Sequence, residues 1–190
     1  MSIIIFLIPA HDASCGSKMS FMKALLVIAQ KGYQDVELKG TRDGLVNAGF
    51  DVVLASTEKG SCAGKFGSTE EATLSLKDVQ ISDYDRIGLI GGPGAAALAA
   101  NADAKKLVRD VLAAGMILGA ICIAPTILAA AGVLTGKRAT VWDDGKETQI
   151  NILKEAGAVY SGEAVTVDGK IITANGPDAA VEFGKRFATL

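Results

Sequence analysis

The stretch MILGAICIAPTILAAAGVL, residues 116–134, decides how the rest of the chain is interpreted. Its first part, MILGA, is an unbroken apolar run typical of a buried strand. Its second part, PTILAAAGVL, predicts a short helix, because proline is accepted in the first helical turn. Cys122 lies between the two parts. This order of strand, cysteine and helix is that of a nucleophile elbow, in which a sharp turn presents a reactive side chain at the edge of a sheet.

Cys122 has two interpretations at this stage. Free cysteine is among the most buried residue types, so Cys122 could be a small apolar side chain that fills the core. As a nucleophile at the start of a helix, it would feel a partial positive charge that favours the thiolate. The local sequence leaves both interpretations open, and the neighbouring elements have to decide between them.

Composition narrows the class of protein. The chain has 190 residues, which fits one domain, and is 49% hydrophobic with only 5% aromatic residues. Such a core of Ala, Val, Ile and Leu suits a parallel α/β sheet that is covered on both faces. With 19 basic and 21 acidic residues the net charge is −2. The chain therefore lacks the basic footprint that nucleic acid or an anionic membrane surface would require.

The cysteine and histidine counts exclude further classes. The three cysteines are far apart and odd in number, and the chain has one histidine. A zinc site or a disulfide framework is not expected from such a set, and we predict a protein of a reducing, cytoplasmic compartment that needs no metal and no cofactor. Cys62, in the glycine-rich segment SCAGKFG, is either an exposed oxidisable thiol or a spectator.

Residues 1–21 are predicted to be an N-terminal extension of unknown role, followed by a single domain at 22–190. The apolar run 3–10 is too short to span a bilayer, and it lacks the basic region and cleavage site of a secretory signal. A targeting role, an extra edge strand and an upstream start before Met22 remain as alternatives.

Hydrophobic patterning predicts an alternation of strands and helices. It indicates a doubly wound, mostly parallel sheet with a β-hairpin insertion, whose ligands bind at the carboxyl ends of the strands. Strands are predicted at 23–29, 51–56, 86–90, 116–120 and 137–142, helices within 31–49, 102–115, 125–134, 146–158 and 178–190, and hairpins within 57–76 and 164–174.

The first helix is predicted in more detail. Asp35 is expected to cap it, and Gly49 to end it. Val36, Leu45 and Val46 are expected to supply part of its inward-facing stripe.

Three turns follow predicted strands and should meet at one edge of the sheet: KGYQDVE (31–37), GGPG (91–94) and ICIAP (121–125). The paired glycines Gly91 and Gly92 match neither of the glycine-rich phosphate-binding motifs, GxGxxG and GxxxxGK[ST]. They could supply backbone N–H groups to an oxyanion hole, or form a plain tight turn that leads into a helix.

Four segments together resemble the ThiJ/PfpI superfamily. AICIAPTILAAAGVLTGKRAT (120–140) resembles its elbow, and LIGGPGA (89–95) its paired-glycine turn. The segment 31–56 resembles its first helix and following strand, and VDGKIITANGPDAAVEFG (167–184) its C-terminal segment. The resemblance runs from about Met22 to Leu190, and its motifs occur in the family's order.

The resemblance implies a flavodoxin-like three-layer α/β/α sandwich, of the class I glutamine amidotransferase-like kind, and a homodimer or larger homo-oligomer. It also implies a strained backbone at Cys122. The backbone N–H groups of Gly92 and Ile123 are its candidate oxyanion donors, beside Gly91.

Glu37 falls on the glutamate that hydrogen-bonds the nucleophile in this family. Burial beside the thiol should raise the pKa of Glu37, so that its protonated form donates a hydrogen bond to a thiolate. Alternatively, Glu37 is a solvated carboxylate of an exposed first turn, balanced by Lys39 or Arg42.

The sequence departs from the family at three places. Peptidase-like members carry histidine directly after the cysteine, where this chain has Ile123, and its one histidine, His11, lies outside the matched region. Deglycase-like members carry a histidine where Trp142 stands, and an arginine where Asn175 stands. Trp142 and Asn175 are therefore predicted to wall a neutral pocket, although Trp142 could equally serve core or dimer packing.

Two functions from different classes follow. In the first, Cys122 and Glu37 act on small reactive carbonyls, as a glyoxalase or deglycase does, without a cofactor. In the second, Cys122 is a redox sensor, or part of a stress chaperone, that responds to oxidants. A peptidase is the weaker alternative, because the matched region offers no Cys–His pair.

Overall fold

The computed structural model describes residues 22–190; His11, Cys15 and the rest of the N-terminal extension lie outside the described residues. The strands are β1 Met22–Val27, β2 Lys31–Tyr33, β3 Phe50–Ser56, β4 Gly60–Gly64, β5 Thr69–Ala72, β6 Leu74–Ser75, β7 Arg86–Leu89, β8 Ile117–Ile121, β9 Arg138–Ala139, β10 Val159–Tyr160, β11 Val165–Asp168 and β12 Ile171–Ala174. The helices are α1 Asp35–Asn47, α2 Ala95–Ala100, α3 Ala102–Ala113, α4 Pro125–Ala130, α5 Thr148–Glu155 and α6 Ala180–Thr189.

The main sheet has seven strands in the order β11-β12-β8-β7-β1-β3-β6. Its neighbouring strands are parallel except for β11 and β12, which form the antiparallel hairpin predicted around the Asp-Gly turn. The interior strand β8 is buried at all five positions, which is why its sequence is continuously apolar.

Helices cover both faces of this sheet. One core cluster joins Leu26 and Ile121 of the sheet to α1 and α6, and the other joins Leu25 and Leu89 to the helices α2 to α5. The predicted three-layer α/β/α sandwich is therefore confirmed. No helix within residues 22–190 is long and apolar enough to cross a membrane.

The predicted hairpin insertion is β4 and β5, which pair antiparallel. With β2 it forms a separate three-stranded sheet. The loop of this hairpin, residues 65–68, lies next to the start of α1, because its backbone bonds to residues that open that helix.

Two details of α1 differ from the prediction. Its N-cap is Gln34, whose side chain accepts a hydrogen bond from the Val36 N–H, whereas the Asp35 carboxylate accepts from the hairpin loop instead. The predicted stripe is wrong at Val36 and Val46, which are 50% and 52% exposed. Leu45 does pack inward as predicted, beside glycines at which α6 crosses α1.

Two other predictions need correction. The strand at 137–142 is only the two residues of β9, which pair with β10 outside the main sheet. After β9 the backbone no longer pairs with a strand, and the Trp142 N–H donates a hydrogen bond to the carbonyl of Cys122. Helix α2 was not predicted, because its six residues, AAALAA, are too short and uniform to show a helical period.

The α1–α6 crossing depends on glycine. A methyl group at Gly44 would lie 2.4 Å from the backbone carbon of Gly184, too close for any side chain. We expect Gly44→Ala to lower the free energy of unfolding by about 1–3 kcal/mol, as overpacking does, although alanine is the better helix former by about 1 kcal/mol. Urea unfolding measures the change.

The matched control is Asn151→Ala on the exposed side of α5. This substitution should leave stability within about 0.5 kcal/mol of the wild type. Equal stability of Gly44→Ala and the wild type would contradict the close crossing.

Candidate active site

Cys122 is the residue between the end of β8 and the start of α4, and its φ is +63°. A side chain rarely adopts this left-handed conformation without cost, so the surrounding structure must hold it. Two backbone bonds do so: the Cys122 N–H donates to the carbonyl of Ala174 at 2.8 Å, and its carbonyl accepts from the N–H of Trp142 at 2.9 Å. The strained elbow that the resemblance implied is present.

Glu37 belongs to the first turn of α1 and has no exposed surface. Its Oε2 accepts a hydrogen bond from the Gly91 N–H at 3.1 Å, and the Cys122 side chain lies beside the same carboxyl. Its Oε1 is also buried and has no hydrogen-bond partner among the described residues. The interpretation of Glu37 as a solvated carboxylate is wrong, and Lys39 and Arg42 pair with other acids.

Gly91 is required where these two side chains meet. A methyl group on it would lie 2.5 Å from Cβ of Cys122 and 2.7 Å from Oε2 of Glu37. The absence of a side chain therefore allows the carboxyl and the thiol to approach. Since the Gly91 N–H is bonded to Glu37, the groups that face the sulfur are the backbone N–H groups of Gly92 and Ile123.

Burial dominates the ionisation of this pair. It raises the pKa of the Glu37 carboxyl to about 7, against smaller lowering effects from Cys122, the Gly91 N–H and the charge of Lys65. Burial, followed by the negative charge of Glu37, raises the pKa of the Cys122 thiol to about 12, although the N–H groups of Gly92 and Ile123 oppose the shift.

The Ile123 N–H, just before α4, lowers the pKa of the thiol in the predicted direction, but this effect of the helix N-terminus is not the largest. Helix α4 has only six residues, and burial together with the nearby carboxylate outweighs it. The thiol therefore keeps its proton at neutral pH, and the Glu37 carboxyl titrates in the neutral range. A carboxylate in this position can act as the base that removes the thiol proton when a substrate arrives.

The sulfur opens into a cavity of about 380 Å³. Ile123 and Trp142 line it, as predicted for an aromatic wall, but Lys65 also lines it, so the prediction of a neutral pocket is wrong. Its walls are Gln34, Lys65, Gly92, Pro93, Cys122, Ile123, Trp142, Gln149 and Pro177. Asn175 lines a neighbouring cavity of about 410 Å³, which shares Trp142 and Pro177 with the first.

Three polar residues of the wall had no signal in the sequence. Gln34 and Lys65 come from the start of α1 and from the hairpin loop, and Gln149 comes from α5. Their contribution depends on how the small sheet and α5 fold over the elbow, which no local pattern records.

Cys62 is fully buried, so its interpretation as an exposed thiol is wrong. No cluster of three metal-ligating side chains occurs within residues 22–190.

The model of the DJ-1/PfpI family matches residues 22–190. The chain belongs to the DJ-1/PfpI family. A glutathione-independent glyoxalase, DJR-1.2 of Caenorhabditis elegans, is 33% identical over 162 residues, which is 84% of this chain and 83% of that protein. The deglycase PH1704 of Pyrococcus horikoshii is 30% identical over 169 residues, which is 89% of this chain and 99% of that protein.

Solved structures of the DJ-1/PfpI family agree with this fold. DJ-1β of Drosophila melanogaster superposes with a TM-score of 0.78 at 29% identity, covering 88% of this chain and 89% of that one. A ThiJ/PfpI domain protein from Brachyspira murdochii superposes with a TM-score of 0.83 at 24% identity, covering 88% and 94%.

The buried carboxyl predicts how stability depends on pH. Unfolded Glu37 ionises near its ordinary pKa of 4.5 and folded Glu37 near 7, so the unfolded state loses its proton first as the pH rises. The folded state therefore loses about 3 kcal/mol of stability between these values, at about 1.4 kcal/mol for each pKa unit. We expect the free energy of unfolding of Glu37→Gln, measured with urea at pH 5 and pH 8, to lack this loss.

Each variant is compared with itself at two pH values, so a constant change in stability cancels. Glu155→Gln, on the exposed surface of α5, is the control and should keep the wild-type pH dependence. The same pH dependence in Glu37→Gln and the wild type would show that Glu37 does not titrate as a buried group.

Proposed function

We propose that this protein converts small 2-oxoaldehydes to 2-hydroxy acids with Cys122 as nucleophile and Glu37 as general base, without a cofactor. The observation that supports this most strongly is the placement of a fully buried carboxyl beside a thiol that opens into a cavity. Burial raises the pKa of this carboxyl to about 7. A carboxyl so tuned can both take and return a proton at neutral pH. Relatives named as a glyoxalase and as deglycases support the same class of substrate.

The reaction begins when the sulfur adds to the aldehyde carbon. A carbon–sulfur bond forms, Glu37 takes the thiol proton, and that proton passes to the former carbonyl oxygen to give a hemithioacetal. The backbone N–H groups of Gly92 and Ile123, which favour the ionised sulfur, would also stabilise negative charge that develops next to it.

The second step moves a proton between carbons. Glu37 removes the hydrogen of the hemithioacetal carbon as a proton and returns a proton to the neighbouring carbon. The hydroxyl proton of the hemithioacetal passes to the oxygen on that neighbouring carbon, so that its carbonyl becomes a hydroxyl and the carbon bound to sulfur becomes a carbonyl. The product is a thioester of Cys122. Water then hydrolyses the thioester, releases the 2-hydroxy acid and restores the thiol, so that methylglyoxal and water become lactate with no external oxidant.

The other two functions fit the site less well. A redox sensor needs a thiol that oxidants reach readily, whereas Cys122 is 7% exposed and burial raises its pKa. Cysteine peptidases depend on a Cys–His pair, and residues 22–190 contain no histidine. Glu37 is the base that remains for the carbonyl chemistry.

We also propose that the protein is a homodimer or a larger homo-oligomer, which the family resemblance supports. Light scattering of the purified protein should give at least twice the chain mass of 19.5 kDa. The mass of a single chain would contradict this proposal. The expected partners are small aldehydes, and neither nucleic acid nor a membrane is among them.

The direct test is incubation of the purified protein with methylglyoxal, with lactate as the measured product. We expect Cys122→Ser and Glu37→Gln to lower kcat/KM by about 100-fold or more, since each removes a group that handles the proton or the carbon. Cys62→Ser, the same change at a buried cysteine outside the cavity, should keep wild-type activity. No lactate from the wild type would overturn the proposal for this substrate.

The pH profile tests the role of Glu37 separately. Only its ionised form can accept a proton, so kcat/KM for methylglyoxal should rise with pH and level off above the pKa of about 7. Below that value it should change about tenfold for each pH unit. A profile that is flat from pH 5 to pH 8 would exclude Glu37 as the base.

A further inference from the structure

Lys65 is the one charged side chain among the residues that line the Cys122 cavity. No carboxylate within residues 22–190 lies within 4.0 Å of its ammonium group. Its ammonium lies over the ring of Phe66, 5.2 Å from the ring centroid, which leaves its hydrogen-bond donors unused. The cavity therefore has a positive charge at its edge that the described residues do not neutralise.

The loop that carries Lys65 is held firmly. The Lys65 N–H donates to the carbonyl of Tyr33 at 2.8 Å, and the Asp35 carboxylate accepts from the N–H groups of Phe66 and Ser68 at 2.9 and 3.1 Å. A methyl group on Gly64 would lie 2.3 Å from that carboxylate, so the loop requires glycine there. The backbone from which Lys65 extends is thus fixed relative to the start of α1 and to Glu37.

The neutral polar groups of the wall complement this charge. Gln34 is 5% exposed and uses its Oε1 to accept from the Val36 N–H, so its amide N–H groups remain as donors. A cavity of about 380 Å³ falls within the range of sites that hold ligands larger than a three-carbon aldehyde.

We propose that Lys65 is a specificity-determining residue that binds a carboxylate on the substrate, so that the preferred substrates are 2-oxoaldehydes with a carboxylate at a distance from the aldehyde. This rests on the proposed function. One ammonium balances one negative charge, and the amide N–H groups of Gln34 offer further donors to the same carboxylate. The aldehyde end would then lie at Cys122.

A pair of substrates of nearly equal shape tests the proposal. Phenylglyoxal is neutral, and 4-carboxyphenylglyoxal adds one carboxylate at the far side of the ring. We expect the wild type to prefer the carboxylate by about tenfold in kcat/KM, the scale of one hydrogen bond to a charged group. Lys65→Met should bring the ratio close to one, and Lys65→Arg should restore most of it.

Lys185→Met is the matched control, because Lys185 is exposed on α6 and is not among the residues of the cavity wall. This variant should keep the wild-type preference. The preference should also weaken as salt is added, since the Lys65 side chain is exposed to solvent. An unchanged ratio in Lys65→Met, or an equal loss in Lys185→Met, would overturn the proposal.

A binding measurement separates this inference from the proposed reaction. Trp142 is the only tryptophan of the chain and lines the cavity, so its fluorescence reports occupation without turnover. Benzoate should bind the wild type about tenfold more tightly than its neutral analogue benzamide, and Lys65→Met should bind both alike. That result without turnover of either glyoxal would remove the proposed function and keep the carboxylate site. Equal affinities in the wild type would overturn the site itself.

Lys65 should also affect the titration of Glu37. Its positive charge lowers the pKa of that carboxyl. The rising limb of the pH profile should therefore move to higher pH in Lys65→Met, whereas Lys185→Met should leave it in place. A loop that only shapes the cavity would not produce this shift, so an unmoved limb in Lys65→Met would contradict a charge that acts within the cavity.

Discussion

The site depends on one costly placement: a carboxyl group with no exposed surface beside a thiol. Removing Glu37 from water opposes its ionisation, and that single effect raises its pKa to about 7. The same burial, with the charge of Glu37, keeps the proton on Cys122 at neutral pH. The reactivity of the sulfur is then controlled by its neighbour, because a thiolate forms only as Glu37 takes the proton.

The fold makes this placement possible through backbone geometry. Parallel strands bring the segments after β1, β7 and β8 to one edge of the sheet, where the first turn of α1 contributes Glu37 and two turns contribute Gly91 and Cys122. Gly91 leaves room for the two side chains, and the φ of +63° at Cys122 turns the sulfur toward the carboxyl. The backbone bonds of Cys122 to Ala174 and Trp142 balance the strain at the elbow.

Much of the fold follows from local patterns. Continuous apolar runs predict the buried parallel strands, and the Asp-Gly turn predicts the β11–β12 hairpin, because each pattern reports on nearby residues. The patterns fail where distant segments decide. Val36 and Val46 lie on the exposed side of α1, because the side that meets α6 is the one with Gly40 and Gly44. The predicted strand at 137–142 is short, and the Trp142 N–H donates to the Cys122 carbonyl.

The candidate site likewise has residues that the sequence predicts and residues that only the folded structure reveals. Cys122 and Glu37 were found from the elbow and the family resemblance, whereas Lys65 was not, since its place at the cavity depends on how the β4–β5 hairpin lies over the sheet edge. The net ionisation of the thiol also needed the structure, because it is the result of opposing effects from burial, a carboxylate and backbone N–H groups.

The protonation of Glu37 can be observed directly. Infrared difference spectra between the wild type and Glu37→Gln isolate the carboxyl band of this residue, which is followed from pH 4 to pH 9. The account predicts a protonated carboxyl that titrates with a midpoint near 7. A midpoint at or below the ordinary value of 4.5 would show that the carboxyl is not held in the buried contact with Cys122, and would contradict its role as the base.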